Sequence, residues 1–389
     1  MEGISVRTNL DPVLYESAEP PLVSLYLPTQ GTADTDENRI QFDDLVSDAR
    51  AELARSYKER NITGIERALT ELREHLNDVV APIEQGSLAA LISNDHAYLY
   101  ILGYAVEPRA VVSDAFFIKP LMKHFAFGTH YYLLGLNTDR FSFVHGDFST
   151  LERVGLPHIK DEFSELYPIV YDDHEAALDY TSLENHMPPY HGYKSRNDVK
   201  KEEAEKFFRY VDKAIRAYME TALELPVILV SVPEHQEMFR KLSTIPTLLD
   251  EGIEKNINGI EAPELLNLAT GIIKHERERR TETLLEEFST AQAHGTGSSD
   301  VEELGSALAQ RKVRVLFVEE ERDIPGTFDS TIGAVRYNSR EEQGGHGSIE
   351  GADVADAFVR AALAQDADVV VLAPDRMPGT TGIAALYRY

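Results

Sequence analysis

Continuous apolar runs that stand next to segments of helical periodicity constrain the fold of this chain most. The runs are LVSLYLPT at 22–29, PVILVSV at 226–232, VRVLFVE at 313–319 and ADVVVLAP at 367–374. A strand that is apolar along its whole length is typically covered on both faces of its sheet. Helices that alternate with such strands form layered α/β structures. The sequence therefore predicts the α/β fold class, with an α/β/α sandwich in the last part of the chain.

The length of the chain, 389 residues, exceeds what one compact hydrophobic core usually supports. Changes in the residue pattern predict three domains, over residues 1–127, 128–261 and 262–389. The first combines helices with a hairpin at 87–104. The second opens on two apolar runs that flank a turn at 137–140, which is typical of another hairpin.

Shorter segments carry predictions of their own. Residues 116–127 are predicted to be the passage into the second domain. The GTGSS segment at 295–299 is predicted to be a flexible linker, because its composition favours turns and it lies between two helical patterns. In the last domain, residues 367–374 are predicted to form a buried strand and residues 382–389 an edge strand.

The chain is strongly acidic: 66 aspartate and glutamate residues against 38 lysine and arginine residues give a formal charge of -28. Such a charge disfavours general binding to naked nucleic acid, because the summed field repels phosphates. No apolar run approaches the roughly 18 residues of a membrane span, and the start lacks the apolar core of a secretion signal. The absence of cysteine excludes disulfides and thiolate metal sites. We therefore expect a soluble, cytoplasmic protein.

One stretch, residues 183–218, departs from this acidity. Its first part is predicted to be a loop, because it contains two consecutive prolines and a glycine. Its second part is predicted to be a helix with one apolar stripe. Basic residues run through both parts, and tyrosines and a histidine lie among them in the loop. A basic and aromatic loop on a rigid helix could present a probe to RNA; a solvated loop before an ordinary amphipathic helix is the alternative.

Other classes of function also stay open. A metal-dependent nuclease needs several carboxylates that converge at strand ends, and the candidates are Asp139, Asp147, Asp172 and Asp173. Asp139 lies in a predicted hairpin turn, where aspartate is favoured for structural reasons. The sequence contains no phosphate-binding loop, dinucleotide fingerprint or zinc motif, so we predict no cofactor and no metal. A third possibility is an acidic adaptor that binds only proteins.

Five sets of segments resemble the bacterial archaeo-eukaryotic release factor family, whose relatives include the eukaryotic class-1 release factor and Pelota. They are PLVSLYLPT, YYLLGLNTDRFSFVHGD, YHGYKS with EEAEKFFRYVDKAI, PVILVSVPEHQEMFR and VVVLAPDRMPGTTGIAALYRY. The resemblance covers nearly the whole chain and depends on the order and spacing of these segments. It implies an N-terminal decoding-site-like domain, a ribonuclease-H-like middle domain and an L7Ae-like C-terminal domain.

In release factors of this kind, a Gly-Gly-Gln loop of the middle domain enters the peptidyl transferase centre. The corresponding loop here, at 188–194, reads PPYHGYK and lacks the triplet, as Pelota does. Gly344-Gly345-His346 is superficially similar to it, but falls in the third domain. The resemblance therefore implies a binding factor.

The implied function is that of a ribosome-associated translation factor of release, rescue or hibernation type. It would insert the middle-domain loop into the aminoacyl site without catalysis. The implied partners are the ribosome, ribosomal or transfer RNA, and a translational GTPase. The residues implied to bind RNA are His191, Gly192, Tyr193, Lys194, Arg196, Lys200 and Lys201. The alternative function is a hydrolase that acts on peptidyl-tRNA, or a metal-dependent RNA nuclease.

Overall fold

Apolar runs form strands and periodic segments form helices in the computed structural model of the protein, which confirms the α/β fold class. The structure describes residues 4–7, 9–16, 18–29, 35–81, 83, 86–125, 128–147, 150–156, 159–161, 196–222, 224–337 and 353–389. The chain divides into two compact units. The first unit combines Met1–Ala126 with Arg279–Tyr389, and the second unit is Phe127–Glu278. The three predicted domains and their boundaries stay predictions.

The N-terminal part of the first unit is built on a five-stranded sheet. Its strands are β1 (Ile4–Val6), β2 (Leu22–Thr29), β3 (Gly86–Ile92), β4 (Ala97–Leu102) and β5 (Arg109–Ser113), in the order β1-β4-β3-β2-β5. The helices α1 (Thr35–Ser56), α2 (Thr63–Glu74) and α3 (Leu76–Val80) pack on one face. Side chains of β2 alternate between this layer and a second core on the opposite face. Burial on both faces explains why β2 is almost wholly apolar, as the sequence predicted.

The second unit contains a four-stranded sheet. The strands of this sheet are β6 (Tyr131–Leu136), β7 (Phe141–Gly146), β8 (Leu151–Arg153) and β9 (Val227–Val230), in the order β8-β7-β6-β9. The helices of the unit are α4 (Arg196–Met219), α5 (Pro233–Leu242) and the start of α6 (Ala262–His294). The predicted hairpin is confirmed as β6 and β7. Side chains of β9 enter the two cores of this unit in alternation. Its outer edge bonds to residues 247–253, so this strand is covered as predicted.

The C-terminal part of the first unit contains a second four-stranded sheet and a separate hairpin. The sheet consists of β10 (Gly297–Ser298), β11 (Val313–Glu319), β14 (Asp368–Leu372) and β15 (Ile383–Tyr387), in the order β10-β15-β11-β14. The hairpin consists of β12 (Gly326–Asp329) and β13 (Ala334–Tyr337). The helices are α7 (Val301–Ala309), α8 (Val354–Leu363) and the end of α6. Among the described residues, no helix is long and apolar enough to cross a membrane.

Three predictions about this sheet are wrong. The segment predicted to be a linker forms β10, which pairs with Ala385 and Leu386 of β15. That pairing makes β15, predicted at the edge, an internal and buried strand. β14, predicted to be buried, is instead the edge strand and is half-exposed. A partner strand of two small residues has no apolar signature, so the strand order could not be read from hydropathy.

Residues 116–125 end the N-terminal part of the first unit, next to the start of the second unit at Phe127, and they also form part of a core. Phe116, Ile118 and Leu121 are almost fully buried, and they share one core with Val354 and Phe358 of α8. The N-terminal and C-terminal parts of the first unit are therefore packed around a common set of apolar side chains.

Candidate nucleic-acid interface

The helix α4 carries the basic residues that the sequence singled out. Its predicted apolar stripe is confirmed, since Phe207, Phe208, Val211 and Ile215 are fully buried in the second unit. Phe208 meets Phe239 of α5 edge-on, with 6.0 Å between the ring centroids. Each buried side chain of this size stabilises its element by about 1.5–3 kcal/mol. The stripe therefore fixes which side of α4 faces the solvent.

The predicted RNA-binding residues are only partly described. His191, Gly192, Tyr193 and Lys194 lie outside the described residues. Arg196 is the first residue of α4, and its backbone alone is described. Lys200 and Lys201 are exposed on the first turns of the helix, and neither forms an ion pair within the described part of the chain.

Lys201 is nevertheless close enough to α5 to influence a carboxylate there. The pKa of Glu237 is lowered, first by its hydrogen bond from Lys241 and to a smaller extent by the charge of Lys201. Lys241 lies 2.6 Å from that carboxylate and forms its ion pair. The positive charge of Lys201 is thus left largely uncompensated.

Further along α4, the solvent side carries Lys206, Arg209, Lys213 and Arg216, all exposed. Their spacing places them within about 80° of one another around the helix axis. Lys206, Arg209 and Lys213 form no ion pair with any of the described residues. In a chain of formal charge -28, these three neighbouring cations form a local positive surface.

Asp212, an acid of the same helix, is turned inward and only 7% exposed. Its carboxylate accepts hydrogen bonds from the Ser243 hydroxyl (2.8 Å), the Thr244 amide (2.8 Å) and the Thr244 hydroxyl (2.7 Å). The Thr244 hydroxyl oxygen in turn accepts from Arg216 Nη1 at 3.2 Å. Asp212 thereby joins α4 to the end of α5 and orients Arg216.

Sequence reasoning missed this role of Asp212, although a signal existed. Position 212 lies four residues after the buried Phe208 and three before the buried Ile215. The same periodicity that predicts the core therefore predicts that this carboxylate is on the protein side of the helix.

The carboxylates proposed for a nuclease are not brought together where they are described. Asp139 is exposed in the turn before β7, and Asp147 follows the other end of that strand. A strand of this length separates its ends by about 20 Å, which is far beyond the reach of a shared metal pair. Asp147 accepts hydrogen bonds from the amide and hydroxyl of Thr150, a turn contact. Asp172 and Asp173 lie outside the described residues.

Among the described residues, no group of three or more histidine, aspartate or glutamate side chains is arranged to hold a metal ion. The chemistry available on the described face of α4 is that of ammonium and guanidinium groups, which bind phosphate oxygens. The geometry of this face is therefore that of an anion-binding surface.

Comparison with known proteins finds a similarity for part of the chain. The model of bacterial archaeo-eukaryotic release factor family 8 matches residues 128–281. This range nearly coincides with the second unit. No curated protein is significantly similar to the chain.

Several solved structures are similar at low identity. An archaeal translation termination factor, aRF1, is 14% identical, with 97% of this chain and 95% of that chain covered and a TM-score of 0.25. The Saccharomyces cerevisiae protein Dom34 is 11% identical, with 78% and 73% covered and a TM-score of 0.38. The Thermoplasma acidophilum Pelota protein is 10% identical, with 79% and 77% covered and a TM-score of 0.23. Their TM-scores are too low to carry an argument. The similarity to bacterial archaeo-eukaryotic release factor family 8 is that of residues 128–281.

Proposed function

We propose that the protein is a ribosome-associated translation factor of release, rescue or hibernation type. The observation that carries the proposal is the pair of exposed, unpaired lysines Lys200 and Lys201, in the segment that matches a release factor family. They come shortly after the predicted loop, which carries His191, Tyr193 and Lys194. In this proposal the loop enters the aminoacyl site, and His191, Gly192, Tyr193, Lys194 and Arg196 bind ribosomal or transfer RNA.

The contact is one of binding and not of catalysis. The loop sequence has no Gly-Gly-Gln triplet, and the two described nuclease candidates lie at opposite ends of β7. Tyrosine and histidine rings beside lysines can stack on unpaired bases while the cations neutralise phosphates. A translational GTPase is the protein partner that the proposal includes.

The test is cosedimentation with purified ribosomes through a sucrose cushion. The variant Arg196→Gln/Lys200→Gln/Lys201→Gln should remain in the supernatant at a salt concentration where the parent protein pellets. Each lost phosphate contact lowers the salt dependence of binding by about one unit of the log-log slope.

The matched control is Arg39→Gln/Lys58→Gln/Arg67→Gln, which removes three exposed cations of the first unit that form no ion pair within the described residues. Both variants change the formal charge equally, from -28. Equal loss of binding in both variants would show that net charge, and not this set of residues, causes the effect. No pelleting of the parent protein with any ribosomal state, even at low salt, would overturn the proposal.

Catalysis is tested separately, by incubating the protein with peptidyl-tRNA on and off the ribosome. We expect no release of peptide. Release that disappears in His191→Ala would instead establish the hydrolase alternative.

A further inference from the structure

The outward face of α4 continues well beyond the residues considered so far. We infer that Lys206, Arg209, Lys213 and Arg216 form a second contact, a cationic ridge that binds the phosphodiester backbone of RNA without reading its sequence. This inference deepens the proposed function, because it extends the same helix to a longer footprint on RNA.

The ridge is bounded on both sides by packed structure. On one flank, the Tyr210 hydroxyl oxygen accepts a hydrogen bond from the Lys160 amide at 3.0 Å, so that residues 159–161 lie along the helix there. On the other flank, the bonds of Asp212 to Ser243 and Thr244 hold the end of α5. The four cations occupy the sector between these flanks, so they point away from the body of the second unit.

The spacing of the ridge suits an extended anion. At a rise of about 1.5 Å per residue, four cations over ten residues cover about 15 Å, with about 5 Å between successive members. The acidic residues Glu202 and Glu220 lie on the same side one turn before and after the ridge, which limits the contact to this length. Several backbone phosphates fall within such a length.

The charges are held ready for binding. Lys206, Arg209 and Lys213 have no ion pair to break within the described part of the chain, so binding does not first have to separate them from a carboxylate. Arg216 is held by the Thr244 hydroxyl. Within residues 206–216 the one acid is Asp212. Its carboxylate already accepts three hydrogen bonds, from Ser243 and Thr244. Glu205, half-buried at the edge of the ridge, forms no ion pair with the described residues either.

Contacts of this kind position a nucleic acid but carry no sequence information. Binding should therefore be independent of RNA sequence and steeply dependent on salt. The ridge contains no aromatic side chain, so it cannot stack on bases. In the proposed function, the predicted loop before α4 makes the stacking contacts.

The experiment measures binding of a fluorescent RNA duplex of random sequence by anisotropy, between about 50 and 200 mM salt. The ridge variant is Lys206→Gln/Arg209→Gln/Lys213→Gln. Glutamine has a helix propensity close to that of lysine and arginine, so α4 should be preserved, and circular dichroism checks this. We expect at least tenfold weaker binding at low salt, and a salt slope lower by about 2–3 units. The charge-retaining variant Lys206→Arg/Arg209→Lys/Lys213→Arg should bind as the parent does.

The control Arg39→Gln/Lys58→Gln/Arg67→Gln should leave both the affinity and the slope unchanged. An unchanged slope in the ridge variant, or an equal loss in the control, would overturn the inference. So would ridge-dependent binding of polyglutamate with no binding of RNA, which would identify an acidic protein as the partner.

Failure of the ridge and failure of the proposed function can be told apart. If the parent protein pellets with ribosomes and the ridge variant pellets equally well and binds RNA equally well, the ridge fails alone. If RNA binding depends on the ridge but no ribosomal state is bound, the ribosomal function fails and the ridge stands.

Discussion

At the scale of single residues, a buried lysine joins the N-terminal and C-terminal parts of the first unit. Lys119 is 3% exposed. Its Nζ lies 2.6 Å from the Arg322 carbonyl oxygen, 3.0 Å from Asp323 Oδ1 and 3.2 Å from Asp353 Oδ2. Asp353 is itself buried and caps α8. Two carboxylates around one ammonium are tolerated here because Arg109 also pairs with Asp323, at 2.8 Å.

Removal of this ammonium should be costly. In Lys119→Met, the Asp353 carboxylate is left buried without its cation, and a broken buried pair costs about 3–5 kcal/mol. Urea denaturation of the full chain measures the free energy of unfolding. Lys123→Met is the control, since Lys123 pairs with Glu320 at 2.5 Å in a partly exposed position, where an ion pair contributes about 0–1 kcal/mol. Equal effects of the two substitutions would contradict the importance of burial.

Asp323 should make the stability of the first unit depend on pH in the acid range. Burial acts to raise the pKa of Asp323, but Arg109 and Lys119 outweigh it and hold the pKa below its usual range. A lowered folded-state pKa stabilises the fold above the unfolded value of about 3.9, and this stabilisation is lost as the pH falls through the folded value. The difference in unfolding free energy between the parent and Asp323→Asn should therefore shrink below about pH 4. The control is Asp375→Asn, which removes an exposed carboxylate of the same unit.

Asp353 works in the opposite sense. Burial raises its pKa, and Lys119 opposes this only in part. A raised folded-state pKa favours the fold below the unfolded value, and that contribution is lost as the pH rises through the folded value. The pH dependences of stability that Asp323 and Asp353 cause therefore partly cancel in the acid range. Substitution of one of the two aspartates is needed to measure the contribution of the other.

At the scale of elements, the contact between α4 and α5 depends on one carboxylate at the edge of an apolar stripe. The stripe buries α4 against the sheet, but apolar packing alone allows a helix to slide or rotate slightly. The three hydrogen bonds of Asp212 define the register of α4 against the end of α5. Through the Thr244 hydroxyl they also orient Arg216.

Asp212→Ala should weaken the contact between α4 and α5. Hydrogen bonds to a charged group contribute about 1.5–3 kcal/mol each, and the Thr244 amide loses its acceptor. We expect a loss of about 2–4 kcal/mol in the stability of the second unit, with faster hydrogen exchange at the Thr244 amide. The matched control is Glu205→Ala on the same helix, which should change stability by less than about 0.5 kcal/mol. Unchanged protection at Thr244 would show that the carboxylate is not the anchor.

The start of α6 carries a contact that responds to pH near neutrality. His275 Nδ1 lies 2.8 Å from Glu251 Oε2, and this hydrogen bond raises the pKa of His275. A histidine with a raised folded-state pKa stabilises the fold below its unfolded value of about 6.5, and the contribution is lost as the pH rises through the folded value.

The expected result is a small decrease in the stability of the second unit as the pH rises above about 6.5, and a flatter profile in His275→Gln. Thermal melts at a series of pH values measure it. The control is His96→Gln, an exposed histidine in the β3–β4 turn of the first unit. A profile of unchanged slope in His275→Gln would contradict the role of this pair.

At the scale of the whole molecule, the two ends of the chain build one unit. Phe358 of α8 is fully buried, and its ring meets Phe328 at 4.7 Å between the centroids. The same core contains Tyr26 of β2 and Phe116. Because neither part completes this core alone, we expect the two parts to unfold together.

Phe358→Ala tests this coupling. Truncation of a buried phenylalanine costs about 3–5 kcal/mol. Native-state hydrogen exchange should show lower protection in β3 as well as in β11, although β3 belongs to the N-terminal part. The control Tyr337→Ala removes an aromatic ring that is 54% exposed and should leave both strands unaffected. Loss of protection in β11 alone would show that the parts fold independently.

Much of the element content follows from the sequence. The bounds of β2 and β11 coincide with the predicted apolar runs at 22–29 and 313–319, because a continuous apolar run has a direct structural cause. The buried stripe of α4 was predictable from its three-and-four periodicity, as was the exposure of Lys200 and Lys201 on its other side.

The sequence alone thus determined the fold class, the type of most elements and the polarity of each helix face, because these depend on local periodicity and on apolar side chains leaving water. Only the tertiary structure decided which strand lies at the edge of a sheet, which groups donate to Asp212, and that residues 116–125 join α8 in one core. Each of these depends on contacts between residues far apart in the chain. The partners of Lys119 lie more than 200 positions away, and no local pattern records such a distance.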